Sequence, residues 1–343
     1  MGVRQRCRFL LAALFCFCLL SGCSKSGISL GGYQISGLTS QELLCVGEEV
    51  CPLSAAMIFV VSQKNLYQDT YGGEIWQVSL GEESLDEYAM GQLRDYLGRL
   101  FAASQMAEEL RLTLTEQESA RVSQAAADYM AHLGERDREI CGTTQAEVED
   151  AFRRYILANR AYEETLQNAG VEVSEDEARV MQIQQIFLSS QGLAGEELAR
   201  RRSEAESVAQ RAAGEANFAE LAEEYNEAEE TELSVKRGDL SQAEEEAVFA
   251  LSAGEVSGLL ETEGGWRIVR CVNSYDREAT AANKERMQSQ REQEAFRREL
   301  EAFLEDHPAA FNQTLWDSIS FSGYDGEASA NFYNSYQTYF EEE

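Results

Sequence analysis

Few residues in this chain are able to do chemistry, and their types exclude more than they permit. Only His132 and His307 are present, so histidine acid–base catalysis or a His-rich metal site is hard to assemble. No Cys/His cluster has zinc-ligand spacing. The sharpest chemical signal is Leu20-Ser21-Gly22-Cys23, which closes the 12-residue apolar run Phe9 to Leu20 behind Arg4, Arg6 and Arg8. Basic, apolar and small-residue segments in that order make a secretory signal of the lipoprotein type. Cys23 is then the acylated first residue of the mature chain, held firmly because two or more acyl chains bury ~0.8 kcal/mol per methylene. The run is shorter than the ~20 residues that span a bilayer, so a transmembrane helix is not expected. Met1-Gly2 makes no myristoylation motif, because Arg6 stands where Ser or Thr is required. A plain cleaved signal with an incidental cysteine is the competing reading, and the complete L-S-G-C order argues against it.

Cys7, Cys16 and Cys18 leave with the signal, while Cys45, Cys51, Cys141 and Cys271 remain. Four thiols allow three pairings, which sequence does not choose among. Cys45 and Cys51 flank a turn, so a cross-strand bridge is one option and free buried thiols are the other. The chain carries 61 acidic against 29 basic residues, a net charge of −32, and losing the signal's arginines makes it more acidic still. Such a surface repels nucleic acid and anionic headgroups. The membrane is therefore met through the lipid anchor only, nucleic acid is excluded as a partner, and cationic clients are tolerated. Most of the charges read as solvated helix faces.

The elements that must position any site are mainly helical, since only Pro52 and Pro308 interrupt the chain. A Ser/Gly-rich stretch reads as a tether, and Leu43 to Leu53 as a small hairpin. Capping boxes, in which a side-chain oxygen and a glutamate three residues on satisfy free N–H groups, open three helices. These are Ser84/Glu87 to about Leu112, Thr115/Glu118 to about Leu133, and Thr144/Glu147 to near Gly170. The pattern changes at Val180. A β-like run at Ile183 to Leu188 precedes a helix over about Glu196 to Ala213, a short helix capped at Asn217, and strand-like runs Val256 to Leu260 and Trp266 to Val272. A long charged helix follows over Arg277 to Asp306, and Trp316 to Phe321 alternates like a strand. Trp76 reads as a core anchor. The aromatic tail with Tyr324, Phe332, Tyr333, Tyr336, Tyr339 and Phe340 reads as a helix packing its 332/336/339/340 face on the core, rather than as a client-binding segment.

The middle segment resembles the parvulin family of peptidyl-prolyl isomerases. The resemblance is carried by Ile183-Gln184-Gln185-Ile186-Phe187-Leu188, Asn217-Phe218-Ala219-Glu220-Leu221-Ala222, Lys236-Arg237-Gly238-Asp239-Leu240, Phe249 to Ser257, and Gly265-Trp266-Arg267-Ile268-Val269. With the lipobox and the flanking helices, the whole chain is similar to the PrsA- and SurA-like extracytoplasmic foldases. The expected fold class is α+β, a helical chaperone-like domain with an inserted parvulin-like domain made of a small antiparallel sheet and packed helices. The expected plan is a signal over 1–22, a tether over 23–40, a helical part over 41–178, the insert over 179–275, a helical return over 276–322 and an acidic aromatic tail over 323–343. Val46-Gly47-Glu48-Glu49-Val50 is similar to the start of the family's chaperone domain.

The resemblance implies rotation about X–Pro bonds, whose barrier of ~18–20 kcal/mol makes uncatalysed exchange slow. That reaction needs no nucleophile, metal or cofactor. It needs an apolar cup for the proline ring and polar groups that favour the twisted amide. Gln185 and Arg267 stand where family members commonly carry histidines, so the resemblance makes them the catalytic positions, with Leu240, Phe249 and Trp266 on the substrate side. Ser241 to Val248 is short, acidic at Glu244, Glu245 and Glu246, and lacks the family's pocket Met and Phe. The family's Cys or Asp falls near Thr231 or Glu232. Two readings follow. One is a prolyl isomerase and chaperone for unfolded or newly exported polypeptides, anchored on the extracytoplasmic face of the membrane. The other is a holdase with a degenerate parvulin domain that binds peptide. A solute-binding lipoprotein would need alternating β/α units in two lobes, which the long helices oppose.

Overall fold

The computed structural model describes residues 38–214, 217–324 and 327–341. The signal, Cys23 and the tether as far as residue 37 lie outside them. The described chain forms two compact units, one drawn from 38–170 and 294–341 and the other from Val171–Gln293. The fold is α+β, with long helices and two small antiparallel sheets.

The first unit opens with a hairpin of β1 (Glu42–Val46) and β2 (Glu49–Pro52). Gly47 makes the turn at φ +57°, where a side chain would come within 3.3 Å of the His307 ring. Cys45 faces Val50 and Cys51 faces Leu44 across the ladder. Neighbouring strand positions point to opposite faces, so this pair cannot bridge, and all four described cysteines are free thiols. Helix α1 (Leu53–Tyr71) follows directly and is buried from Ala56 to Asn65, apolar as far as Val61 and polar from Ser62 to Asn65. Then come α2 (Leu85–Glu109), α3 (Glu116–His132), α4 (Glu135–Cys141) and α5 (Gln145–Ala169). The capping boxes at Ser84, Thr115 and Thr144 carry both reciprocal bonds.

The second unit contains α6 (Glu175–Ala178), β3 (Val180–Ser189), α7 (Gly195–Ala213), α8 (Phe218–Tyr225), β4 (Glu232–Lys236), α9 (Gln242–Phe249), β5 (Leu260–Thr262) and β6 (Gly265–Asn273). Its sheet runs in the order β4-β3-β6-β5, antiparallel throughout. Val256 to Leu260 is not a strand of its own. Val256 makes a single bridge to Arg270, and β5 begins only at Leu260. At Gly265 a Cβ would lie 2.0 Å from the Leu188 carbonyl oxygen, so no side chain fits the β3–β6 crossing. Helix α10 (Arg277–Asp306) gives its residues to Gln293 to this unit and the rest to the first. The unit is wider than 179–275 because Arg291 bonds the Glu172 carbonyl at 2.7 Å and the Glu177 carboxylate at 2.6 Å.

The returning chain completes the first unit with β7 (Ala309–Phe311), α11 (Gln313–Trp316) and α12 (Phe332–Phe340). β7 pairs with β1, so both flanks of the chain close one sheet of order β2-β1-β7. Trp316 to Phe321 is not extended as its alternation suggests. Trp316 ends α11, and the turn beyond is set by the buried Asp86, which accepts the Phe321 and Ser322 N–H groups at 2.9 Å each. Phe321 stacks on Trp76 at 4.4 Å, and Trp76 is 1% exposed, a core anchor. Phe332 is fully buried and stacks on Phe152 at 4.3 Å, while Tyr336 meets Tyr155 edge-on at 4.6 Å. The tail thus inserts Phe332 into the core and packs its other aromatics, partly buried, against it.

Candidate functional site

Successive residues of a strand face opposite sides of a sheet, and this sorts the second unit's side chains into two sets. On one face Ile186, Leu188, Trp266 and Ile268 pack with Phe218 and Leu221 of α8 and Ala205, Val208 and Ala212 of α7. On the other, Met181, Ile183, Val235, Val269 and Cys271 pack with Val248 and Phe249 of α9. Gln185 pairs with Val269 and Phe187 with Arg267. Residues directly opposite share a face, so both histidine-matching positions lie on the α9 side.

That side has a polar centre. Gln185 is 4% exposed and its Nε2 donates to the Glu230 carbonyl at 2.8 Å. Its backbone N–H donates to the Thr231 carbonyl at 2.8 Å, which puts Thr231 beside it. Asn226 frames the same corner, accepting the Phe187 N–H at 2.9 Å and donating to Thr231 Oγ1 at 3.2 Å. Arg267 Nη1 donates to Glu244 Oε1 at 2.9 Å. Glu244 is buried because it is the third residue of α9, where its Oε2 accepts the Ser241 N–H at 3.2 Å and the Ser241 hydroxyl at 2.7 Å. Two atoms are left over: Gln185 Oε1 and Arg267 Nε are buried and hydrogen-bonded to nothing. A buried donor or acceptor without a partner costs ~1–3 kcal/mol.

The apolar residues divide. Leu240 is half-buried against the cluster that holds Phe249. Phe249 lies beneath two guanidiniums, with Arg179 at 5.0 Å and Arg237 at 4.7 Å from its ring centre. Trp266 does not join them. It is buried in the opposite cluster, against α7 and α8, because it neighbours Arg267 on the strand and must point the other way. The substrate-side assignment of Trp266 is therefore corrected, and the residues brought to one face are Gln185, Arg267, Leu240 and Phe249.

Glu244, Phe187, Asn226 and Thr231 complete the site and carry weak sequence signals. Only Ser241-x-x-Glu244 is readable, as a capping box, and its bond to Arg267 depends on the fold. Burial pushes the Cys271 thiol up against the pull of Arg179, which keeps it protonated. Among the described residues no group of His, Cys, Asp and Glu could hold a metal, and no helix is long and apolar enough to cross a membrane. The face offers hydrogen bonds to an amide. It offers charge, the Arg267–Glu244 pair, where a proline ring would need hydrocarbon.

Residues 185–273 match the PPIC-type PPIase domain family (rotamase), so this unit carries a parvulin-type domain. No curated protein matches the chain. Among solved structures the chain is similar to the peptidylprolyl isomerase PrsA from Bacillus cereus, with 15% identity over 77% of this chain and 97% of that one, at a TM-score of 0.33. The foldase PrsA from Lactococcus lactis is 13% identical over 83% and 99%, with a TM-score of 0.31. A SurA-like chaperone from Campylobacter jejuni is 10% identical over 79% and 99%, with a TM-score of 0.27. The domain match carries the identification, and these distant whole-chain likenesses add no weight to it.

Proposed function

We propose that this protein is an extracytoplasmic folding factor, anchored to the membrane by acylation of Cys23, which holds unfolded or newly exported polypeptides. Its parvulin-type domain serves as a peptide clamp rather than as an efficient prolyl isomerase. The observation that carries this reading is the Arg267–Glu244 pair at 2.9 Å, with Glu244 buried and Arg267 part-exposed, on the same face as Gln185. Catalysis by differential binding needs an environment that favours the twisted amide over the planar one. An ion pair on that face puts charge where the proline ring needs hydrocarbon. Gln185, Arg267, Leu240 and Phe249 are the residues that would meet peptide.

Two assays on the full mature chain test this together: isomerisation of a short prolyl peptide and suppression of aggregation of a denatured client. Suppression with little or no acceleration of isomerisation is expected. Acceleration at the level of an active isomerase would overturn the clamp reading. The anchor is tested separately in cells by incorporation of a labelled fatty acid, expected with Cys23 and lost in Cys23→Ser.

A further inference from the structure

A second binding feature lies in the helical unit. A small pocket of about 40 Å³, open at its mouth, is lined by Leu44, Cys51, Phe59, Leu97, Phe101 and Ala151, with Val50 and Arg154 among its other walls. Its walls come from β1, β2, α1, α2 and α5, all within one unit. The floor is hydrocarbon, and burial holds the Cys51 thiol protonated by pushing its pKa to about 12. At the lip, Val50 is 39% exposed, one of the large apolar side chains this protein leaves in water. β2 is also the last strand of its sheet, so an extended chain laid along it would find backbone groups to pair with.

The rim selects by charge. Glu49 and Asp150 both bond Arg154, while Glu147 bonds the Ser54 hydroxyl, beside the lining residues Pro52 and Ala55. Arg153 also binds Asp150. Both guanidiniums are already paired, Arg154 by Glu49 and Asp150 and Arg153 by Asp150 and Glu108, while Glu147 adds a carboxylate with no cation of its own among the described residues, on a chain of net charge −32. A basic segment approaches such a rim favourably and an acidic one is repelled.

We propose that this pocket is a socket for one apolar side chain of an unfolded polypeptide, taken from a segment whose neighbouring residues are basic. The socket deepens the chaperone reading and rests on it. It is separate from the parvulin-type face, and it gives client binding an anchor that does not involve proline.

The test uses the full mature chain and a fluorescent synthetic peptide with one leucine flanked by lysines in a Gly/Ser background. Its counterparts carry glutamates in place of the lysines, or serine in place of the leucine. The lysine-flanked leucine peptide is expected to bind about tenfold tighter than either counterpart. Ala151→Leu fills the socket and Val50→Ser removes its lip, and each should weaken that peptide several-fold without changing prolyl isomerisation. Thermal melting establishes that each variant is folded. Should Ala151→Leu fail to fold, the exposed Val50→Ser decides alone. Unchanged binding in a folded variant, or equal binding of the lysine and glutamate peptides, overturns the socket. Loss of aggregation suppression by the unsubstituted chain would instead overturn the chaperone reading on which it rests.

Discussion

Two ion pairs, one in each unit, separate architecture from function. Lys64 and Asp137 meet at 2.6 Å with side chains 0% and 2% exposed. Both Asp137 oxygens are used, Oδ1 by Lys64 and Oδ2 by Asn65 at 2.8 Å and Ser329 at 2.5 Å. Asn65 also donates to the Ala330 carbonyl, so the network ties α1, α4 and the segment leading to α12; only Asn65 Oδ1 is left unbonded in it. Arg267 and Glu244 have similar chemistry but a looser setting. Arg267 keeps 21% exposure, its Nε has no partner, and Gln185 Oε1 nearby has none either. A saturated pair with no access to water fixes the fold. A pair with unfilled hydrogen bonds and a route to solvent is able to exchange partners with a ligand.

The largest effect that would break this contrast comes from Asp137→Ala. It strands the Lys64 ammonium in hydrocarbon, and removing one member of a buried pair costs ~3–5 kcal/mol. Urea unfolding should show that loss, and a loss below about 1 kcal/mol would place Lys64 in effect at the surface. Glu244→Ala should cost less, about 1–2 kcal/mol, most of it the lost cap on α9, because Arg267 can rotate into water. Glu244→Gln keeps a capping side chain and should recover part of that loss. Equal losses at Asp137 and Glu244 would erase the distinction between the pairs.

The same contrast shows what was legible in the sequence. The capped helices α2, α3 and α5 were readable because Ser-x-x-Glu and Thr-x-x-Glu are local devices with local bonds. Helix α1 was not, since Pro52 offers no capping side chain and its middle, Ala56 to Asn65, is buried all round with no polar face to set a period. Strand β4 escaped notice because its edge position leaves Glu232 and Ser234 in water. The Trp316 to Phe321 alternation misled because Asp86, more than two hundred residues earlier, dictates the turn. At the site, Gln185 and Arg267 were found by resemblance. Glu244, the partner of Arg267, was visible only as one acid among three. Trp266 was placed on the wrong side although strand alternation alone separates it from Arg267.

A smaller effect sharpens the comparison from the functional side. Replacing Gln185 and Arg267 by histidine and Glu244 by methionine removes the ion pair and returns hydrocarbon to the face. Prolyl isomerisation by the folded triple variant should rise about tenfold over the unsubstituted chain, equal to about 1.4 kcal/mol of barrier. Conservative changes at Asp137 that leave the protein folded should not move that rate. No increase in the triple variant would mean that the missing cup has a cause other than the pair.

The smallest expected effect is in acid, and it compares the caps of the two units. In the second, the Ser174 backbone N–H, then Arg291 and the Ser174 hydroxyl, hold the Glu177 carboxyl down to about 2. In the first, the Ser84 backbone N–H and hydroxyl lower Glu87. A carboxylate whose pKa is depressed by folding stabilises the fold above its unfolded value, ~4.3, and loses that contribution as pH falls through the folded value. The urea midpoint should therefore be level from about pH 7 to pH 5 with respect to these groups and decline from about pH 4.5 toward pH 2. Trp266 is the one tryptophan of the second unit, while Trp76 and Trp316 belong to the first. With both of those changed to phenylalanine, its fluorescence reports the second unit. Glu177→Gln should lower that unit's midpoint slightly at pH 7 and flatten its decline below pH 4.5, since no charge remains there to be lost. An unaltered acid slope would assign the decline to other carboxylates.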